Sequence, residues 1–323
     1  MSRIFCVSLF AFLCALLAAP AAAVDRYPRK PIRLVAGFPP GGGVDINARL
    51  LADPLGKALG QTVVVDNRPG AGGRLGLELV SKANPDGYTL ALAATGMAVS
   101  RALYKKLPYD TLRDFIPISL LTEQPNILVA HPSIAAKSLQ DFIALARSQP
   151  GTISYGSPGI GTGTHLATVL LLLSQKLELL HVPYKGAGPA LTALLGREIM
   201  VYLSTFASAL PHVKADRLRA FAVTSAKRAK PLPDVPTVAE SGVPGYEYST
   251  WYGLVAPAGV PRKIIDQLNK AAVAVLKTPE MQQRYESQGL DPIPSTSAHF
   301  AAHLRSETEK WTKAVRAAKI PLQ

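Results

Sequence analysis

Ile32-Arg33-Leu34-Val35-Ala36-Gly37-Phe38-Pro39-Pro40-Gly41-Gly42-Gly43-Val44-Asp45 leads from an apolar strand through a charge-free glycine loop into a helix. Ile153-Ser154-Tyr155-Gly156-Ser157-Pro158-Gly159-Ile160-Gly161-Thr162-Gly163-Thr164-His165 repeats the arrangement about 120 residues later. Each loop presents backbone N–H groups at the positive end of a helix, where an anion is favoured. Glycine removes the Cβ that would keep a ligand away from those groups. Two such cradles at this separation predict two lobes, each offering one face to the same anion.

The rest of the chain is read outward from these loops. Arg3, the apolar run 4–17 and Ala21-Ala22-Ala23 form a secretory leader, cleaved after Ala23. Both cysteines, Cys6 and Cys14, fall inside it, so the mature chain is expected to hold no disulfide and no cysteine metal site. Ala11-Phe12-Leu13 before Cys14 is not a lipobox. About 300 exported residues must then be held together by burial, a length that suits two domains. The formal charge of +13, less Arg3 in the leader, is +12. That excess is dispersed, with only Lys227-Arg228-Ala229-Lys230 approaching a patch, and it does not suit a nucleic-acid binder.

Strand and helix patterns alternate, which predicts mostly parallel sheets flanked by helices. Strands are expected over 32–38, 62–66 and 88–93, then over 153–156, 178–182, 199–204 and 218–224. Helices are expected over 44–59, where Pro54 should kink or split the run, and over 73–83, 138–148, 164–175 and 189–196, with Pro189 in the first helical position. The apolar runs 116–121 and 127–130, either side of Thr122-Glu123-Gln124-Pro125-Asn126, read as a first crossing between lobes. The apolar stretch ending at Trp251-Tyr252-Gly253-Leu254-Val255-Ala256-Pro257 reads as the return, followed by helices over 262–277 and 297–319. The expected division is 24–122 plus 252–323 for lobe 1 and 123–251 for lobe 2, with a ligand crevice at the hinge.

Signatures of other chemistries are incomplete. Tyr155 stands where a nucleophile elbow around Ser157 needs its first glycine, and Gly70-Ala71-Gly72-Gly73-Arg74-Leu75 lacks the last glycine of a dinucleotide fingerprint. His299, His303 and Glu307 are spaced to share a helix face, but without H-E-x-x-H they read as a plain exposed face. A hydrolase using Ser157 and His165 is the enzymatic alternative. No catalytic residue, metal or cofactor is expected.

Blocks along nearly the whole mature chain resemble the periplasmic solute-binding proteins of tripartite tricarboxylate transporters, the Bug or TctC type. They include Tyr27-Pro28-Arg29-Lys30-Pro31-Ile32, Phe38-Pro39-Pro40-Gly41-Gly42-Gly43, Asn67-Arg68-Pro69-Gly70-Ala71-Gly72-Gly73, Pro85-Asp86-Gly87-Tyr88-Thr89-Leu90, His181-Val182-Pro183-Tyr184-Lys185-Gly186 and Leu232-Pro233-Asp234-Val235-Pro236-Thr237. The resemblance implies a Venus-flytrap fold that closes on a small ligand, often a carboxylate, and delivers it to a membrane permease. A periplasmic sensor feeding a signalling kinase would share fold and site. The family's backbone amides hold one carboxylate from the loops that match the two cradles here. Many relatives place an acidic residue where this chain has Leu203-Ser204-Thr205-Phe206, so the resemblance implies that amino acids are disfavoured.

The candidate ligand-binding residues are therefore Phe38, Pro40, Gly41, Gly42, Gly43 and Asp45 in the first cradle, with Ser157, Gly159, Thr162, Gly163 and His165 in the second. Tyr184 and Lys185 are expected as a third wall, and Thr95, Ser204, Thr205 and Phe206 at strand ends facing the crevice. Trp251 and Tyr252 are expected as hinge packing. The protein is expected to be a periplasmic monomer.

Overall fold

The computed structural model describes residues 27–323; the leader expected over 1–23, with Cys6 and Cys14, lies outside the described residues. The chain begins with β1 (Ile32–Ala36), α1 (Gly43–Leu59), β2 (Val63–Asn67), α2 (Arg74–Ser81), β3 (Thr89–Ala94) and α3 (Gly96–Leu103). β1 lies between β2 and β3, all parallel. Alternation along the strands sends Ile32, Leu34 and Leu90 to one buried face and Val35, Ala91 and Ala93 to the other, so helices cover both sides. α1 runs through Pro54 as one helix, so of the expected kink or split the split does not occur. Leu50, whose carbonyl Pro54 cannot bond, is half-exposed, so water can take that role.

β4 (Phe115–Ala130) is a single sixteen-residue strand, so the two runs read as flanking a crossing are continuous. Its first part, Phe115 to Pro125, pairs with β9 (Ser249–Pro257), and Asn126 to Ala130 pairs with β7 (Val201–Thr205). Between these lie α4 (Leu139–Ser148), β5 (Ser154–Ser157), α5 (Gly163–Gln175), β6 (Leu180–Pro183) and α6 (Ala187–Leu195). After β7 come α7 (Phe206–Lys214) and β8 (Arg219–Val223). α8 (Arg262–Leu276), α9 (Pro279–Glu286), β10 (Asp291–Pro292) and α10 (Ser297–Ala317) follow β9. α6 starts two residues before Pro189, so that proline sits inside the first turn rather than opening it.

The strand order is β2-β1-β3-β9-β4 in one lobe and β6-β5-β7-β4-β8 in the other. Each lobe thus has three parallel strands, then a strand arriving from the opposite lobe and running against them, then a fourth strand. The two-residue β10 adds an antiparallel pairing to β4 in the first lobe, and apart from it four of five strands in each lobe share a direction, as the two-lobed α/β expectation requires.

The two crossing strands are tied by buried polar groups. Gln124 donates to the Tyr252 hydroxyl at 2.6 Å and accepts from Ala207 N–H at 2.9 Å, while Thr250 donates to Asn126 Oδ1 at 2.8 Å. α10 corrects one reading: Glu307 is only 12% exposed and accepts from the indole N–H groups of Trp251 and Trp311, each at 3.1 Å. Its carboxylate is a packing anchor, so His299, His303 and Glu307 do not form a plain exposed face. No three His, Cys, Asp or Glu side chains among the described residues are grouped to hold a metal.

Candidate functional site

In the first cradle, the glycine loop between β1 and α1 is fixed from behind. Gly41 adopts φ 83°, and its N–H donates to Asp45 Oδ2 at 3.0 Å. Asp45 also accepts from Arg49 and from Asn67, and Asn67 donates to the Phe38 carbonyl. Burial alone would raise the Asp45 carboxyl, but the bonds from Arg49, Asn67 and Gly41 outweigh it and hold it below the ordinary carboxylate value. Asp45 is thereby a paired loop brace, with its charge spent on Arg49.

The second cradle is braced by an aromatic stack. His165 lies on His181 with ring centroids 4.6 Å apart, and His181 on Tyr155 at 4.7 Å. Ser157 Oγ lies 2.7 Å from His181 Nε2, and Gly161 N–H approaches His165 Nδ1 at 3.5 Å. Thr162 caps α5 by accepting from His165 N–H, and its hydroxyl donates to the Gly159 carbonyl at 2.8 Å. Burial, helped by the charge His181 could carry, pushes the His165 imidazole down to about 4; burial lowers His181 too. Both rings are neutral at pH 7.

Between the cradles is a cavity of about 70 Å³. The starts of five helices line it: Gly42, Gly43 and Val44 of α1; Thr95, Gly96 and Met97 of α3; Thr162, Gly163 and Thr164 of α5; Ala187 of α6; and Thr205 before α7. The cap positions of α1, α3, α6 and α7 accept no side-chain bond from their own first turns. The leading N–H groups of a helix have no partner in a preceding turn, so such groups face whatever enters, although in α7 Gln124 already takes Ala207 N–H and in α3 Ala98 N–H bonds the Thr95 carbonyl. Tyr248, Thr250 and Tyr252 add hydroxyls, and Val35, Leu77, Ala91 and Ala93 an apolar wall. Among the described residues, no Asp, Glu, Lys, Arg or His lines this space.

The lobes meet around it. A Cβ on Gly186 would stand 2.6 Å from Pro39, one on Gly72 2.9 Å from the Ile160 carbonyl, and one on Gly42 3.4 Å from the Ala187 Cβ. Ser208 donates to the Gly41 carbonyl at 3.2 Å, and the Tyr104 hydroxyl to the Ile160 carbonyl at 3.1 Å. Loss of the exposed Tyr104 bond in Tyr104→Phe should weaken closure by about 0.5–1.5 kcal/mol. Ligand dissociation in stopped flow is then expected to speed up by a few-fold to about tenfold; an unchanged rate would show that this latch plays no part.

Of the residues expected at the site, Phe38, Gly42, Gly43, Thr95, Thr162, Gly163 and Thr205 line the cavity. Gly159, Tyr184 and Lys185 border a vestibule just outside it. Pro40 faces an outer groove with Pro39 and Gly188. Gly41, Asp45, Ser157 and His165 spend their polar groups on the braces described above. Ser204 is fully buried and donates to the Thr205 carbonyl, and Phe206 is fully buried in the apolar core beside Gly289. Gly72, Gly73, Ala187, Tyr248, Thr250 and Tyr252 line the cavity without having been expected there. The glycine pair within Gly70-Ala71-Gly72-Gly73 was the available signal for the first two. Tyr252 meets the site through its hinge role, since a Cβ on Gly43 would strike its hydroxyl.

Comparison with known proteins places this geometry. The tripartite tricarboxylate transporter family receptor profile, TctC, matches residues 47–320. Protein BugT of Bordetella pertussis is 36% identical over 302 residues, covering 93% of this chain and 92% of BugT. The structure of R. palustris Rpa4515 with adipate superposes with a TM-score of 0.89 at 33% identity, covering 92% of this chain and all of the other. MatC from Rhodopseudomonas palustris with bound malate gives a TM-score of 0.86 at 31% identity, covering 90% of this chain and all of MatC.

Proposed function

Because the chain belongs to the tripartite tricarboxylate transporter receptor family, we propose that it captures a small carboxylate between its lobes and delivers it to the membrane permease of such a transporter. The carrying observation is the convergence of five helix N-termini from both lobes on one cavity without a charged side chain. Hydrogen bonds to a charged group contribute about 1.5–3 kcal/mol each. Three or four from these amides, with apolar enclosure, can offset association costs and reach about micromolar affinity. The adipate and malate bound by Rpa4515 and MatC support a carboxylate as the cargo. We take residues 24–122 plus 252–323 and residues 123–251 as the closing lobes of a monomer acting in the periplasm after the leader is removed.

The cargo leaves chemically unchanged in this reading. Ser157 and His181 are close enough for proton transfer, but neither lines the cavity, which speaks for a structural pair rather than a hydrolytic one. A thermal-shift panel tests the proposal. A bound carboxylate should raise the melting temperature by several degrees at about a hundredfold excess over Kd. Aspartate and glutamate should raise it less, because no lining carboxylate can receive their ammonium group. Mass spectrometry should recover the added acid intact. A panel of acids that leaves the melting temperature unmoved would refute carboxylate capture, and turnover would refute the non-catalytic role.

A further inference from the structure

One hydroxyl in the cavity wall has its hydrogen-bond directions fixed by its neighbours. Gln124, on the crossing strand β4, is fully buried, and its Oε1 accepts from the Ala207 N–H at the start of α7 at 2.9 Å. That bond sets the amide's orientation, which leaves Nε2 as the end facing Tyr252 on the returning strand β9. Nε2 donates to the tyrosine oxygen at 2.6 Å. An amide N–H can only donate, so Tyr252 Oη accepts here and its own proton must go elsewhere. Among the described residues the bond from Gln124 is the one hydrogen bond this hydroxyl makes. Burial holds the phenol well above its ordinary pKa, so the proton is present at neutral pH. The side chain is buried yet lines the cavity, and its oxygen packs on Gly43, the first residue of α1. A buried donor without an acceptor is costly, and the space beside this one that can receive an acceptor is the cavity.

We infer that Tyr252 donates its hydroxyl proton to the ligand's carboxylate, at the group that the start of α1 also holds. This rests on the carboxylate reading of the cavity. Every bond along the chain then donates toward the ligand, from Ala207 N–H to Gln124, from Gln124 to Tyr252 and from Tyr252 to the acid. The chain joins the start of α7 in one lobe, across both crossing strands, to a ligand seated on α1 in the other. Tyr252 is thereby a ligand-binding residue as well as part of the hinge.

The test is calorimetry with acetate, benzoate, malate and adipate on wild type, and with those that bind on Tyr252→Phe, Gln124→Met and the double variant. Phenylalanine keeps the ring packing and removes the hydroxyl alone. Each dissociation constant is read at the fitted stoichiometry, so unfolded protein does not mimic weak binding. Tyr252→Phe should raise Kd by about tenfold or more, the worth of a hydrogen bond to a charged group. The same loss should appear when Tyr252→Phe is made in Gln124→Met, where no side-chain amide is left unpaired. A hydroxyl that served only to satisfy Gln124 would cost nothing in that background. In crystals of a complex with an acid that binds, a carboxylate oxygen should lie about 2.5–3.0 Å from Tyr252 Oη. An unchanged Kd in Tyr252→Phe, a loss that vanishes in Gln124→Met, or a hydroxyl with no ligand oxygen in reach would overturn the inference while carboxylate capture stands. Failure of all four acids to bind wild type would overturn both.

Discussion

Gly42→Val is expected to lose carboxylate binding by at least about a hundredfold while its ligand-free melting temperature stays within a few degrees of wild type. The asymmetry follows from where the missing Cβ would go. Gly42 has φ −91° and ψ 165°, extended backbone that valine also adopts, so lobe 1 folds without strain. A Cβ there would already stand 3.4 Å from the Ala187 Cβ, and valine's two further methyl groups must occupy the gap between the starts of α1 and α6. The lobes are then held apart and the ligand is displaced from the α1 amides. Losing two amide contacts to a charged group costs about 3–6 kcal/mol. Wild-type affinity in calorimetry would rule out this cavity as the binding site.

Acidification should act on the second cradle. An unfolded His165 takes up a proton near its ordinary value of 6.5, whereas in the folded protein burial and His181 hold it down to about 4. Folded-state stability from this site is therefore complete above about pH 6.5 and is lost as pH falls toward 4, by roughly 3 kcal/mol. A proton on one imidazole would bury a charge in the stack, and protons on both would place like charges 4.6 Å apart. The urea midpoint should drop across that interval, and the drop should be shallower in His165→Gln. Identical pH profiles for the two proteins would show that this imidazole does not govern the decline.

Most of the architecture was legible because the strands that organise it are short apolar runs bounded by glycine and proline. β1, β5, β7 and the return strand β9 follow that pattern, and both glycine cradles open helices as read. The helices α3 and α7 were missed, and their starts complete the cavity lining. Each follows a buried strand with no intervening loop, so Thr95-Gly96-Met97-Ala98 and Thr205-Phe206-Ala207 read locally as strand ends. The site residues were legible as a neighbourhood and less so individually. Ser157, His165 and Asp45 carry the chemistry expected of ligand contacts, yet their partners, His181, Gly161 and Arg49, are fixed by tertiary packing or helix spacing rather than by the loop sequence.

The placement of β9 between β3 and β4 has a consequence for biogenesis. Until residues 249–257 exist, the first lobe has two strands whose facing edges lack the partner that joins them. Bare strand edges recruit other chains. A nascent polypeptide therefore cannot finish its first half before making most of its second. Truncation just before Ser249 should yield aggregates on release, detectable by light scattering, where a chain with a self-sufficient first half would stay dispersed.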